Sequence, residues 1–331
     1  MSSSSLAWQE VATTQEQRPT LPRSGHCAAR LPPSHSSDVI IFGGYTEDDQ
    51  KKREACNDAW TFSLESKSWT TVQYSGDLIP RVRLASQCVV VDNKLWVIGG
   101  WDPGHKQDGG DILSDVWTLD LNTYAWTEIK LQGESLEAIS RFQAVAVGQK
   151  IFIHTHRSLQ DILILDTATS PPTLTKQPVT GSNTPSSRGL HSLTAIGNKL
   201  WLYGGAPKSG SMLGDLWALD LSTLEWREIR DGEKPHVRCS QAAAAVGDEL
   251  VMFGGAYYRD DGPGLAPLGD LWTFDTNDSE RGWKELQTAA QPTPRNAGIM
   301  VAVDGVLVLQ GGWLAFQETY DDTWILDYDS T

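Results

Sequence analysis

Apolar residues in this chain come in short runs set off by clusters of Gly, Asn, Asp and Ser, and no stretch carries the three-to-four-residue spacing of an amphipathic helix. The segment from 188 to 229 shows the unit. Arg188 to Ile196 is small and apolar, Gly197-Asn198 is a turn signal, and Lys199 to Tyr203 is a second run ending on Gly204-Gly205. After a loop, Asp215 to Leu221 makes a third run, Ser222 to Leu224 a turn, and Glu225 to Ile229 a fourth run. Short runs of β-branched and aromatic residues between such punctuation predict four antiparallel strands. The first run of each unit is the smallest in volume, as in Ala242 to Val246, Val89 to Val91 and Val301 to Val303, which suits strands crowded around an axis.

The unit recurs. An aspartate stands two residues before a large apolar residue at Asp58/Trp60, Asp115/Trp117, Asp161/Leu163, Asp215/Trp217, Asp270/Trp272 and Asp322/Trp324. The preceding run ends in Gly43-Gly44, Gly99-Gly100, Gly204-Gly205, Gly254-Gly255 and Gly311-Gly312. Counted from the second glycine, with His156 in the vacant slot, the steps are 56, 56, 49, 50 and 57 residues. A period of about 50 with this punctuation predicts an all-β, six-bladed β-propeller forming one domain over 1–331. The blades fall at about 22–74, 80–131, 137–178, 186–230, 236–287 and 294–331. The last blade lacks its outer run, and the missing piece stands at the other end of the chain. Ala7-Trp8-Gln9-Glu10-Val11 matches Glu225-Trp226-Arg227-Glu228-Ile229, so residues 7–11 are expected to close the ring by completing blade six.

The glycine pairs, the paired aromatic positions about nine residues apart, and Pro-Arg before the inner run (Pro22-Arg23, Pro80-Arg81, Pro294-Arg295) resemble the kelch-repeat family over essentially the whole chain. The resemblance implies the propeller fold; such propellers host binding modules and enzymes alike. Blade three departs from it: Ile151 to His156 replaces the glycine-ended run, and Thr167 to Lys176 replaces the outer tryptophan strand.

Charge narrows the partner. Lysine and arginine total 27 against 42 aspartates and glutamates, a net charge of −15, which disfavours nucleic acid and anionic membrane surfaces. No run is long enough to span a membrane, and the first residues lack the basic and apolar regions of a secretory signal. Cys27, Cys56, Cys88 and Cys239 show no Cys-x-x-Cys spacing. A monomer of the reducing cytoplasm, with free thiols, no metal and no cofactor, is the expectation.

Sorting the fourteen tryptophans leaves two outside the repeat. Trp101 and Trp313 directly follow a glycine pair, and Tyr45 fills the same slot in blade one. Arg83, Arg188, Arg238 and Arg295 share one register at the start of the inner strand, and Arg23 joins them; blade three has Ile139 there, with Arg141 out of register. These aromatics and arginines are expected on one face at the channel mouth. Because arginine pairs bidentately with carboxylates, they predict a protein-interaction module that binds an acidic peptide or loop. The repeated aspartates lie toward the same face, so pairing inside the chain competes for these charges. The alternative is a small-molecule enzyme at the channel mouth, of the specifier-like lyase or sugar mutarotase type. Against the first, Glu54 and Asp58 match half of the plant specifier iron motif Glu-x3-Asp-x3-His, and Phe62 stands where the histidine belongs. His154 and His156 alternate along a strand and face opposite ways, so they are not a metal pair. Binding is favoured over catalysis.

Overall fold

The computed structural model describes residues 6–12, 22–48, 50–104, 109–181, 183–230, 232, 234–259, 264–315 and 317–328; His105 and positions 329–331 of blade six lie outside them. The fold is all-β, a six-bladed propeller whose blades are sheets of four main antiparallel strands. Among the described residues the one helical element is the 3-10 turn Ser279–Arg281, and no helix is long and apolar enough to cross a membrane. The chain divides into two compact units, one of residues 12–155 and 162–177, the other of 1–11, 156–161 and 178–331.

The first unit carries blades one and two and most of blade three, of which 156–161 and 178 fall in the other unit. Blade one runs Cys27–Arg30, Val39–Glu47, Arg53–Ser63 and Ser68–Thr71, with Arg23–Ser24 pairing to the far end of the second strand. Blade two runs Gln87–Val91, Lys94–Asp102, Asp111–Asp120 and Trp126–Glu128. In both, the middle hairpin continues past the glycine pair, and the register shifts there (Phe42/Gly44 and Ile98/Gly100). The glycines are required by approach as well as by backbone angle. Gly43 and Gly44 have φ of 66° and 97°, and a Cβ on Gly43 would lie 2.6 Å from the carbonyl oxygen of Arg83. Blade three has Gln143–Val147, Lys150–His154, Asp161–Asp166 and Thr173–Pro178, with Gln132–Gly133 added parallel to the last. Its outer strand buries Leu174 where other blades bury tryptophan.

The second unit carries blades four to six. Blade six takes Ile299–Val303, Val306–Gln310 and Thr323–Asp327 from one end of the chain and Gln9–Glu10 from the other. Gln9 pairs with Ile325 and Glu10 with Trp324, so the N-terminal strand completes the sheet and covers its edge. The anchor is Trp8, 2 % exposed, set edge-on to Phe253 with ring centroids 5.6 Å apart.

Candidate functional site

In five blades the recurring arginine, glycine pair, aspartate and tryptophan form one network. A strand places residues i and i+2 on the same face, so the aspartate and the tryptophan after it point the same way. Trp117 donates its indole N–H to Asp115 at 2.7 Å, and Trp60, Trp217, Trp272 and Trp324 do the same to Asp58, Asp215, Asp270 and Asp322. The arginine fork fills the other side of the carboxylate. Arg83 donates to both Asp115 oxygens at 2.7 and 2.9 Å and to the Gly99 carbonyl at 3.0 Å. Arg23, Arg188, Arg238 and Arg295 repeat this on Asp58 and Gly43, Asp215 and Gly204, Asp270 and Gly254, and Asp322 and Gly311. Burial alone would raise these carboxyls, but the arginine hydrogen bonds and charge overcome it: Asp115, Asp215 and Asp270 are held below the ordinary range, and Asp58 at about 2.

The network changes the place of the arginines expected at the channel mouth. Arg83, Arg188, Arg238 and Arg295 are 0 to 2 % exposed, and their guanidinium donors are turned into their own blades. The competing pairing with the repeated aspartates takes these charges. Pro80-Arg81 also differs from the other Pro-Arg pairs. In blades one and six the arginine after proline is the clamp residue, whereas Arg81 reaches Asp102 and Asp111 and leaves the clamp to Arg83.

The aromatics behave otherwise. Tyr45 and Trp101 remain half-buried on the extended hairpins of blades one and two, ring centroids 6.4 Å apart and nearly perpendicular. Arg53 lies over the Tyr45 ring at 4.8 Å, and Arg141 over Trp101 at 5.8 Å. The Trp101 indole N–H donates to the Gly109 carbonyl at 2.8 Å, which fixes the ring against its loop. Burial raises the Tyr45 hydroxyl pKa, with Arg53 pulling the other way. Trp313 belongs to the second unit, where it opens the ribbon Trp313–Leu314 and its backbone N–H donates to the Asn296 carbonyl at 2.7 Å. The structure therefore brings Tyr45 and Trp101 together and adds Arg53 and Arg141, which the repeat pattern did not single out. The signal for Arg141 was present: it stands two residues after the one inner-strand slot that has lost its arginine.

Among the described residues no three His, Cys, Asp or Glu side chains gather as a metal site. Asp58 is engaged by Arg23 and Trp60, and Glu54 pairs with Lys52. All four cysteines are free thiols, and burial pushes Cys56 up to about 12, which makes it a poor nucleophile.

Repeated sheets stitched by an arginine–aspartate–tryptophan network and closed by the first strand define a kelch-type propeller. The chain belongs to the family described as the KLHDC2/KLHL20/DRC7 Kelch-repeats domain, which matches residues 1–205 and 154–331. Members of this family generally serve as protein-interaction modules. Similar proteins include acyl-CoA-binding domain-containing protein 4 of Arabidopsis thaliana, 28 % identical over 83 % of this chain and 41 % of that protein. The leucine-zipper-like transcriptional regulator 1 homolog of Drosophila melanogaster is 27 % identical over 69 % of this chain and 25 % of its own length. Kelch domain-containing protein 3 of Homo sapiens is 25 % identical over 76 % of this chain and 67 % of its own. The chain thus spans less than half of the first two. A solved structure, that of YjhT, superposes with a TM-score of 0.70 over 93 % of this chain and 95 % of its own at 15 % identity, a likeness of fold alone.

Proposed function

We propose that this chain is a protein-interaction module that binds an acidic peptide or loop, with Tyr45 and Trp101 as its aromatic anchors and the buried clamp arginines as the frame that positions them. The observation that carries this reading is the perpendicular Tyr45–Trp101 pair, half-exposed and overlaid by two guanidinium groups. Rigid aromatics beside arginine are the side chains that dominate binding energy at interfaces. The net charge of −15 argues against an acidic ligand only at long range. At physiological salt the Debye length is about 8 Å, so Arg141 beside Trp101 acts on a ligand at this face with little influence from distant carboxylates, whereas Arg53 and Arg81 are balanced locally by Glu47, Asp102 and Asp111.

Capture from native cell extract tests this. Trp101→Ala weakens recovery of specific partners by about 1 kcal/mol or more and leaves thermal stability nearly unchanged, since the ring is only half-buried. The control is Trp117→Ala, which destabilises by about 3–5 kcal/mol because that ring is blade core. Trp101→Ala that unfolds as badly as Trp117→Ala while retaining partners would remove this site from consideration.

A further inference from the structure

Six residues occupy one backbone slot, two positions after the clamp arginine or its replacement: Gly25, Ala85, Arg141, Leu190, Ser240 and Ala297. All six are left-handed, with φ between 51° and 66°. In one unit Ala85 N–H donates to the Gly25 carbonyl at 2.8 Å and Arg141 N–H to the Ala85 carbonyl at 3.0 Å; in the other, Ser240 donates to Leu190 and Ala297 to Ser240 at 2.8 and 2.9 Å. The slot's structural task is done by the backbone, and glycine, alanine, serine and leucine all satisfy it. Nothing in the fold asks for a cation at 141, least of all in the conformation that long side chains adopt reluctantly.

The surroundings of Arg141 suggest what the cation is for. Three other guanidiniums near the Tyr45–Trp101 pair are occupied: Arg83 by Asp115, Arg81 by Asp102 and Asp111, and Arg53 by Ser24 and Glu47. Arg141 is exposed, and among the described residues its side chain has the Trp101 ring as its contact and no hydrogen bond or ion pair. Its five N–H donors therefore stay open to a ligand. A guanidinium held over an indole face within cation–π reach, 5.8 Å from its centroid, is biased toward that face, so less freedom is lost when it takes up a carboxylate bidentately.

We infer that Arg141 is the specificity-determining residue of this face, anchoring an Asp or Glu side-chain carboxylate of the bound segment while an adjacent apolar residue of that segment lies on Trp101. This rests on the reading of the Tyr45–Trp101 face as the binding site. The test uses the full chain and fluorescein-labelled, C-terminally amidated hexapeptides of alternating Glu-Leu, Gln-Leu and phosphoSer-Leu, followed by fluorescence anisotropy. The wild type should bind Glu-Leu at least tenfold tighter than Gln-Leu. Arg141→Ala should abolish that preference while leaving Gln-Leu affinity within about twofold, and Arg141→Lys should keep part of it. The melting temperature of Arg141→Ala should match the wild type, because the side chain is exposed. A Glu-Leu preference that survives Arg141→Ala overturns the inference, as does failure of the wild type to bind Glu-Leu. Tighter binding of the phosphoSer peptide by tenfold reassigns the anchor to phosphate and overturns the carboxylate. Loss of all binding in Trp101→Ala with no effect of Arg141→Ala would keep the face and discard Arg141; no effect of Trp101→Ala would discard the face itself.

Discussion

Blades two and three are neighbours in one unit, with the Gly100 N–H donating to the Ile139 carbonyl at 2.8 Å, yet they are held together by different chemistry. In blade two a fully buried guanidinium, a carboxylate, an indole N–H and a glycine carbonyl satisfy one another. In blade three Ile139 occupies the arginine slot and packs with Trp96, Ile98, Val116, Phe142, Ile151 and Ile153; Leu163 takes the tryptophan slot, and Thr155 and His156 the glycine slots. Blade three thus has none of the arginine, the glycine pair or the tryptophan, and of the network's side chains it carries the aspartate, Asp161. Buried ion pairs explain this pattern. Their attraction roughly offsets the cost of desolvating both charges, so a well-packed hydrocarbon replacement is nearly neutral, whereas removing one partner strands the other at about 3–5 kcal/mol. A blade can therefore be held without the buried arginine and its clamp, whereas removing one member of an intact clamp is costly.

The most forceful way to break the comparison is to give blade two half of blade three's solution. Asp115→Ala should cost about 3–5 kcal/mol, because Arg83 is 0 % exposed and keeps its charge. Arg83→Ile should cost less, since the Asp115 side chain is 22 % exposed and water reaches it. The double variant should be more stable than the sum of the single losses implies, with a coupling of about 1 kcal/mol or more. Urea unfolding midpoints measure all three. Strict additivity would mean that the clamp is not a unit.

Acid should sharpen the same contrast. An aspartate held below its unfolded value of about 3.9 adds stability that is full above that pH and fades as pH falls toward the folded value, about 2 for Asp58. The wild type should lose stability from about pH 4 down to pH 2, with little change between pH 6 and 8 from these groups. A variant lacking one clamp, Arg83→Ile/Asp115→Ala, should lose less over that acid window. Parallel urea-midpoint profiles for the two proteins between pH 5 and 2 would show that Asp115 is not among the groups responsible.

Much of this was legible in the residues and part was not, for identifiable reasons. The glycine pairs, the Asp-x-Trp steps and the displaced strand at Trp8 each meet a constraint repeated blade after blade, so spacing alone exposes them. The arginine register was equally visible. What spacing does not carry is direction: Arg83 and Asp115 stand 32 residues apart, and only the fold shows the fork closing onto its own blade. Tyr45 and Trp101 stood out because the repeat had no use for them. Arg141 lies out of register with the clamp arginines, and spacing alone does not show that its side chain reaches the Trp101 ring instead of a carboxylate.

The smallest effect probes the slot that the two blades share whatever holds them. Ala85 of blade two has φ of 51° and Gly25 of blade one 66°, and both belong to the same ladder of backbone hydrogen bonds. Left-handed backbone costs a residue with a Cβ about 1–2 kcal/mol, while glycine gives back about 0.4–1 kcal/mol through its freer unfolded chain. Ala85→Gly should therefore stabilise by about 0.5 kcal/mol, and Gly25→Ala should destabilise by a similar amount. The latter adds no clash, because a Cβ at Gly25 would meet Leu84 at an ordinary 3.6 Å. Opposite shifts of the urea midpoint in these two variants would show that the slot is governed by backbone angle alone, which is the condition that leaves position 141 free to carry an arginine. Shifts of the same sign would mean that side chains in this slot do structural work, and the arginine in blade three would then have to be explained by packing.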